Sequence, residues 1–276
     1  MHQLHLTASR RLRLTLCAKI EEPLKTKRVS GLFRFIEKKR QRQAVLVDLF
    51  FMEQKINYQK KLDQLLATLE GSAEKPTLLL HACCGPCSSY VLEYLSKYFQ
   101  ITVLYYNPNI YPQAEYERRL AELKKLYERF PPALDTGVKV VECEYEPEQF
   151  YDAVGVRDEP ELAREPEKGE RCRRCYKFRL ERAAAYAAQN HFDYFCTTLS
   201  ISPFKDAVKI NELGAEIEHS ILAGTVTETS ATSPKWLFSD FKKKGGFKRS
   251  LELSEEYGMY RQDYCGCVYS MKNNRK

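Results

Sequence analysis

Seven of the ten cysteines in this 276-residue chain fall into three close groups: Cys83, Cys84 and Cys87; Cys172 and Cys175; Cys265 and Cys267. The first group lies in LLLHACCGPCSSYVLEYL, residues 78–95, where an apolar run ends and an amphipathic one begins. Thiols there sit at a strand-to-helix junction. A helix start offers unsatisfied N–H groups and the positive end of its dipole, so a cysteine placed on it is biased toward thiolate, the form that binds metal or attacks disulfides.

Cys172 and Cys175, in GERCRRCYKFRLERAA, are three apart at the start of a second helical stretch and so share one face. With the vicinal pair they supply four soft ligands from two helix starts, a set suited to tetrahedral zinc or an iron–sulfur cluster. Cys265 and Cys267 flank a single glycine in DYCGCVYS. A disulfide between them closes a small, strained ring of the labile kind, and Gly266 permits the distortion that the ring needs. Cys143 and Cys196 stand in strand-like apolar contexts and read as small core hydrophobes.

These thiols must be held by a scaffold, and the chain is long enough to bury one without metal or crosslinks. Ten cysteines without a clear secretory signal point to a reducing compartment and a cytoplasmic protein. No run of roughly 18 or more apolar residues, as a membrane span requires, occurs, so a soluble protein is expected. From residue 55 the pattern alternates: helix 55–70, strand 76–82, helix 86–99, strand 101–106, helix 113–130, strand 138–143, a helical patch at 147–154, helix 170–190, strand 193–198, helix 204–218. This predicts an α/β fold, a Rossmann-like parallel sheet with helices on both faces, followed by a cysteine-bearing C-terminal segment. Ligands of such sheets bind beyond the C-terminal strand ends at the topological switch point. The thiols after strand 76–82, residues Asn107 to Asn109 and residues Thr197 to Ser202 are therefore expected to converge on one pocket.

The formal net charge of +7 is unevenly placed. Residues 1–51 hold 12 Lys and Arg against 4 Asp and Glu, whereas the rest hold 32 against 33, so global charge says nothing about what the folded part binds. The first 51 residues read as a basic N-terminal extension, disordered or outside the natural chain, either as a presequence or as residues preceding a natural start at Met52; Cys17 within it is incidental. Residues 52–276 then form a single domain. Two local basic runs bear on RNA binding: Arg171, Arg173, Arg174, Lys177 and Arg179 around the CxxC, and Lys242, Lys243, Lys244, Lys248 and Arg249 after Phe238 and Phe241. Each run alone reads equally as a solvated face. Their attachment to the cysteine segments favours contact with an RNA backbone, with Gly245 and Gly246 letting the second loop adapt.

Cys84 to Cys87 also spell CGPC between a strand and a helix, so a thioredoxin-like dithiol oxidoreductase is an alternative reading, although it leaves Cys83, Cys172 and Cys175 unused. A zinc-stabilised RNA-binding module is another. Taken in order, HACCGPCSSY, YYNPNIYPQAEYERR, GERCRRCYKFRLERAA, TTLSISPFKDAVKINELG and FKKKGGFKRSLELSEEYGMYRQDYCGC resemble the cobalamin-independent epoxyqueuosine reductases, the QueH family, over roughly residues 54–270. The resemblance implies an adenine-nucleotide hydrolase-like sheet with HACCGPC in its first strand-to-helix loop. No Gly-rich phosphate cradle accompanies it, so ATP use is not expected.

The resemblance further implies reduction of epoxyqueuosine to queuosine at the wobble position (34) of tRNA, the last step of queuosine formation. It places a [4Fe–4S] cluster on Cys83, Cys84, Cys172 and Cys175, and a redox-active disulfide on Cys265 and Cys267. Cys87, a fifth thiol, is open as an added or replacement ligand or as a packing residue. Proton donors by position are Tyr106, Tyr111, Asp206 and Asp263. The implied partners are tRNAs with a GUN anticodon and an electron donor, with the protein as a monomer.

Overall fold

The structure is a computed structural model and describes residues 56–223 and 233–271. The N-terminal extension, Met52 and Cys17 lie outside the described residues. Its sheet has five strands, all parallel: β1 (Thr77–His81), β2 (Gln100–Tyr105), β3 (Lys139–Glu142), β4 (Tyr194–Thr197) and β5 (Lys235–Trp236), in the order β3-β2-β1-β4-β5. The helices are α1 (Tyr58–Leu69), α2 (Gly85–Leu95), α3 (Gln113–Tyr127), α4 (Pro131–Leu134), α5 (Pro147–Val154), α6 (Glu170–Gln189), α7 (Ala207–Leu222) and α8 (Gly246–Glu256). Among the described residues, no helix is long and apolar enough to cross a membrane.

Strand β1, TLLLH, is central and pairs with β2 on one side and β4 on the other. Its three leucines are wholly buried, each stabilising the fold by roughly 1.5–3 kcal/mol relative to exposure. Being covered on both faces explains why the strand reads as a continuous apolar run rather than an alternating one. The chain leaves β1 toward β2 and β3, then crosses back to β4 on β1's other flank, so the switch point lies between the C-terminal ends of β1 and β4.

Local chemistry sets where several elements start. Asn57 caps α1 by accepting from the Lys60 N–H at 3.0 Å, so the helix begins at Tyr58 rather than at 55. Asp206 caps α7, accepting from Val208 and Lys209 N–H groups at 3.0 and 3.2 Å. That start is three residues later than the apolar pattern implied, and it leaves Phe204 and Lys205 in a turn ahead of the helix. Among the elements that escape the sequence pattern are β5 and α8. The first is only two residues long, and the second starts on the second glycine of the pair that read as an adaptable loop. Gly246 is instead fixed by packing. A Cβ there would stand 2.0 Å from the Phe241 carbonyl oxygen and 2.3 Å from the Tyr90 ring. Helix α8 lies against α2, joined by a two-point Arg249–Glu93 pair at 2.7 and 3.0 Å.

Candidate active site

The C-terminal ends of β1, β2 and β4 are tied together by one buried histidine. His81 Nε2 donates to the Tyr106 carbonyl at 3.0 Å, and Nδ1 faces the Thr197 hydroxyl at 2.8 Å. Burial lowers its pKa to about 4, so the ring is neutral, and a carbonyl partner on Nε2 puts the proton there. Thr197 then donates to Nδ1 while accepting the Leu199 N–H at 3.2 Å. Asn107 Nδ2 adds a 2.8 Å bond to the Ala82 carbonyl.

Immediately beyond His81 the chain turns into α2, with Cys84 as its N-terminal cap residue and Pro86 in the first turn. The turn draws Cys83, Cys84 and Cys87 together, their sulfurs all within 4.8 Å of one another, a set that can hold a metal ion. Cys83 and Cys84 sulfurs are 3.8 Å apart, and Gln262 Nε2 donates to Cys84 Sγ at 3.2 Å. The anion of this trio settles on Cys83. Hydrogen bonds from Cys84 and Cys87, helped by the Arg179 guanidinium, hold its thiol well below the usual range. Cys84 is correspondingly pushed up to about 12 by its bond to Cys83.

Cys172 and Cys175 lie buried in the first two turns of α6 and are not part of the trio. Cys172 belongs to the same main core as Cys83 and Cys84, whereas Cys175 belongs to a small apolar group with Phe150, Val154 and Cys267. Burial pushes the Cys175 thiol up to about 11. Cys265 and Cys267 are held by long-range contacts. The Tyr111 N–H donates to the Gly266 carbonyl at 2.8 Å, Arg119 Nη1 donates to the Cys265 carbonyl at 3.2 Å, and the Tyr264 hydroxyl donates to the Tyr111 carbonyl. Gly266 has φ +128°, a conformation other residues rarely adopt. Lys205 Nζ donates to Cys265 Sγ at 2.6 Å. A hydrogen bond from Cys267, and then the charges of Lys205 and Arg179, hold the Cys265 thiol well below its usual range.

A cleft of about 950 Å³ opens over these groups. Cys83 and Cys87 line it from the β1 loop, Ser202, Phe204 and Lys205 from the β4 loop, and Cys265 from the C-terminal segment. Two of the three loops expected to converge therefore form its wall. The third, after β2, instead supports the Cys265–Cys267 segment from behind, with Ile110 and Asn109 beside Gly266. Of the four proton-donor candidates only Asp263 lines the cleft. Tyr106 is buried with its hydroxyl on Gln149, Tyr111 is half exposed elsewhere, and Asp206 is committed to its helix cap.

The interior around the thiols is rich in cations. Arg119, Arg171, Arg179 and Lys205 are all buried, and Arg119 Nη2, Arg171 Nε and Arg179 Nη2 have no hydrogen-bond partner. Buried charges left this way are costly unless an anion answers them. Glu115, on Arg119, answers one of the four. Arg179 lies within electrostatic reach of Cys83 and Cys265, Lys205 bonds Cys265, and Arg171 is met by backbone carbonyls. Sequence reasoning assigned nothing to Lys205, Gln262, His81 or Arg119. Lys205 is embedded in SPFKD, ahead of a helix, and only its burial beside a sulfur distinguishes it from an ordinary surface lysine.

The expected basic surface is largely spent on internal pairs. Arg171 donates to the carbonyls of Leu162, Ala163 and Glu165; Arg174 pairs with Glu159 and Glu170; Arg173 and Lys177 both reach Glu216. In the second run Lys242 pairs with Asp240, Lys244 with Asp63, Lys248 with Glu252 and Arg249 with Glu93, leaving Lys243 without an ion pair among the described residues.

The family profile described as "Epoxyqueuosine reductase QueH" matches residues 78–273 of this chain. Proteins of that name from Streptococcus pyogenes and Staphylococcus epidermidis are each 40% identical to it. The first aligns over 219 residues, covering 79% of this chain and 80% of the relative, and the second over 217 residues, covering 79% and 85%. The Thermotoga maritima protein of the same name is 34% identical over 203 residues, covering 72% of this chain and 93% of the relative.

Proposed function

The chain belongs to the epoxyqueuosine reductase QueH family, and from that premise we propose that it reduces epoxyqueuosine to queuosine at the wobble position of tRNA. The observation that carries the reading is the meeting, in one cleft at the sheet's switch point, of the Cys83 thiolate group with a second thiol, Cys265, salted by a buried lysine. We propose further that Cys83, Cys84, Cys172 and Cys175 hold a [4Fe–4S] cluster, with Cys87 as an added or replacement ligand, and that Cys265 and Cys267 form a redox-active disulfide. The donor set is soft, and the orphaned guanidinium atoms around it favour an anionic occupant.

Removing the epoxide oxygen to leave an alkene consumes two electrons and two protons and releases water. A bound cluster supplies single-electron transfer and Lewis acidity toward the departing oxygen. Oxidation of the Cys265 thiolate and the Cys267 thiol to a disulfide yields the two electrons and one proton, so the second proton must come from another group, for which the Lys205 ammonium bonded to Cys265 is a candidate. Lys205 keeps Cys265 ionised while Cys267 stays protonated, so one sulfur is ready to react and the other holds a proton. Asp263 stands on the cleft wall as a candidate proton carrier. An external donor must then restore the dithiol. We place the protein in the cytoplasm, acting as a monomer.

A thioredoxin-like exchange through CGPC is disfavoured, because Cys84 and Cys87 are bound into a trio with Cys83 rather than standing as an isolated pair. The test is iron and acid-labile sulfide content of anaerobically purified protein, followed by incubation with epoxyqueuosine-bearing tRNA and a chemical reductant. About four iron and four sulfide per chain are expected, with the modified nucleoside losing one oxygen by mass spectrometry. Zinc or no metal after attempted reconstitution, together with unchanged nucleoside, overturns the reading.

A further inference from the structure

Where most cations of the predicted basic runs are met by ion pairs, three at the mouth of the cleft are not. Arg164 ends the 3-10 turn Pro160–Arg164, Lys168 follows it with φ 73°, and Arg261 comes after α8; all three line the cleft. None has an ion pair among the described residues. The Arg261 guanidinium donates to the Ser254 hydroxyl at 3.0 Å. Carboxylates share the wall, namely Glu165, Glu167 and Asp263, and Glu165 already accepts the Arg171 N–H at 2.8 Å.

Beside these cations stands Phe204, 64% exposed. Its ring is presented by a short turn in which the Phe204 N–H donates to the Ser202 hydroxyl at 3.2 Å, and the Asp206 cap stops α7 from extending back over it. A large aromatic held outward at the entrance of a thiol-lined cleft gains nothing from folding. Its face suits a stacked base, and adjacent unpaired cations suit the phosphates on either side of that base. The cleft volume is within the range of small-ligand sites, enough for a splayed nucleoside.

We propose that Phe204, Arg164, Lys168 and Arg261 form the subsite for a single-stranded RNA loop at the mouth of the thiol cleft, Phe204 stacking on a base next to the reacting nucleoside. This rests on the tRNA reductase reading and assigns the RNA contact to three cations outside the two basic runs. The experiment measures binding of a fluorescein-labelled anticodon stem-loop by anisotropy across a KCl series. It uses wild type, Phe204→Ala, Phe204→Trp and the triple variant Arg164→Gln/Lys168→Gln/Arg261→Gln, each checked for wild-type iron content and melting temperature. Loss of three phosphate contacts lowers the slope of log affinity against log salt by about 2. Phe204→Ala weakens binding by roughly 5- to 150-fold at unchanged slope, and Phe204→Trp restores it.

Should the triple variant fail to fold, the Arg164→Gln single variant, with an expected slope change of about 0.7, replaces it. Variants that bind as wild type does, with the same slope, overturn the subsite while wild-type turnover keeps the reductase reading intact. Wild type that neither binds the hairpin nor converts epoxyqueuosine in tRNA removes both.

Discussion

Cys83, Cys84 and Cys87 lie within five consecutive residues that run from the end of β1 into the first turn of α2, whereas Cys265 and Cys267 lie in a strandless segment whose position is set by Tyr111, Arg119 and Lys205, all distant in sequence. In the first region one strand end and one helix start bring the sulfurs within 4.8 Å, and the strand beneath is the most buried in the sheet. In the second, no local geometry suffices; a carbonyl, a guanidinium and an ammonium hold it, around a glycine at φ +128°. Yet each region ends in the same electrostatic state, one thiol lowered by a neighbouring thiol and by shared Arg179. On the proposed reading the difference is a division of labour between cluster ligands and exchanging thiols. Ligands of a metal centre must stay fixed, while thiols that exchange a bond each cycle need a positioned but separable support.

The sharpest test removes one proposed cluster ligand and one thiol of the CxC. Cys172→Ala is expected to abolish iron binding and to lower turnover by roughly a thousandfold or more, measured by iron assay and nucleoside mass spectrometry. Cys267→Ala is expected to retain wild-type iron and absorption yet to stop after at most one turnover; iron loss in that variant would make the CxC a ligand and erase the distinction. A smaller effect tests the electrostatics. Lys205→Met removes a charge that lowers the Cys265 thiol, so the pH of half-maximal alkylation of Cys265, followed by peptide mapping of reduced protein, moves upward by about 1–3 units. The direction follows because losing a cation disfavours the thiolate. Smallest is Asp206, which the fold uses as a cap. Asp206→Ala costs about 1 kcal/mol, a melting shift of about 2–4 °C, whereas Asp206→Asn keeps both cap and turnover. Turnover lost in the Asn variant would return Asp206 to the list of proton carriers.

The α/β class, four of the five strands and the thiol groups were legible because they are local signals. Apolar runs mark fully covered strands, and the CC, CxxC and CxC spacings are visible whatever surrounds them. The short strand β5 and helix α8 were not, since a two-residue strand carries no period and the Gly245–Gly246 pair masks a helix start whose glycine is demanded by Tyr90 and Phe241. The basic runs are ambiguous in sequence for a related reason. A string of Arg and Lys looks the same in sequence whether its charges face solvent or are met by Glu159, Glu216 and Glu93 from other elements.

By itself the sequence determined the chemistry available to this protein: soft donors in spacings suited to metal and to thiol exchange, on a parallel sheet that puts them at its C-terminal edge. Tertiary structure alone decided which of them meet and what surrounds them. Lys205 reaches Cys265 across 60 residues of chain, and Arg179 senses Cys83, Cys175 and Cys265 together. Such pairings depend on how helices and loops close over the sheet, a property of distances through space that no spacing along the chain encodes.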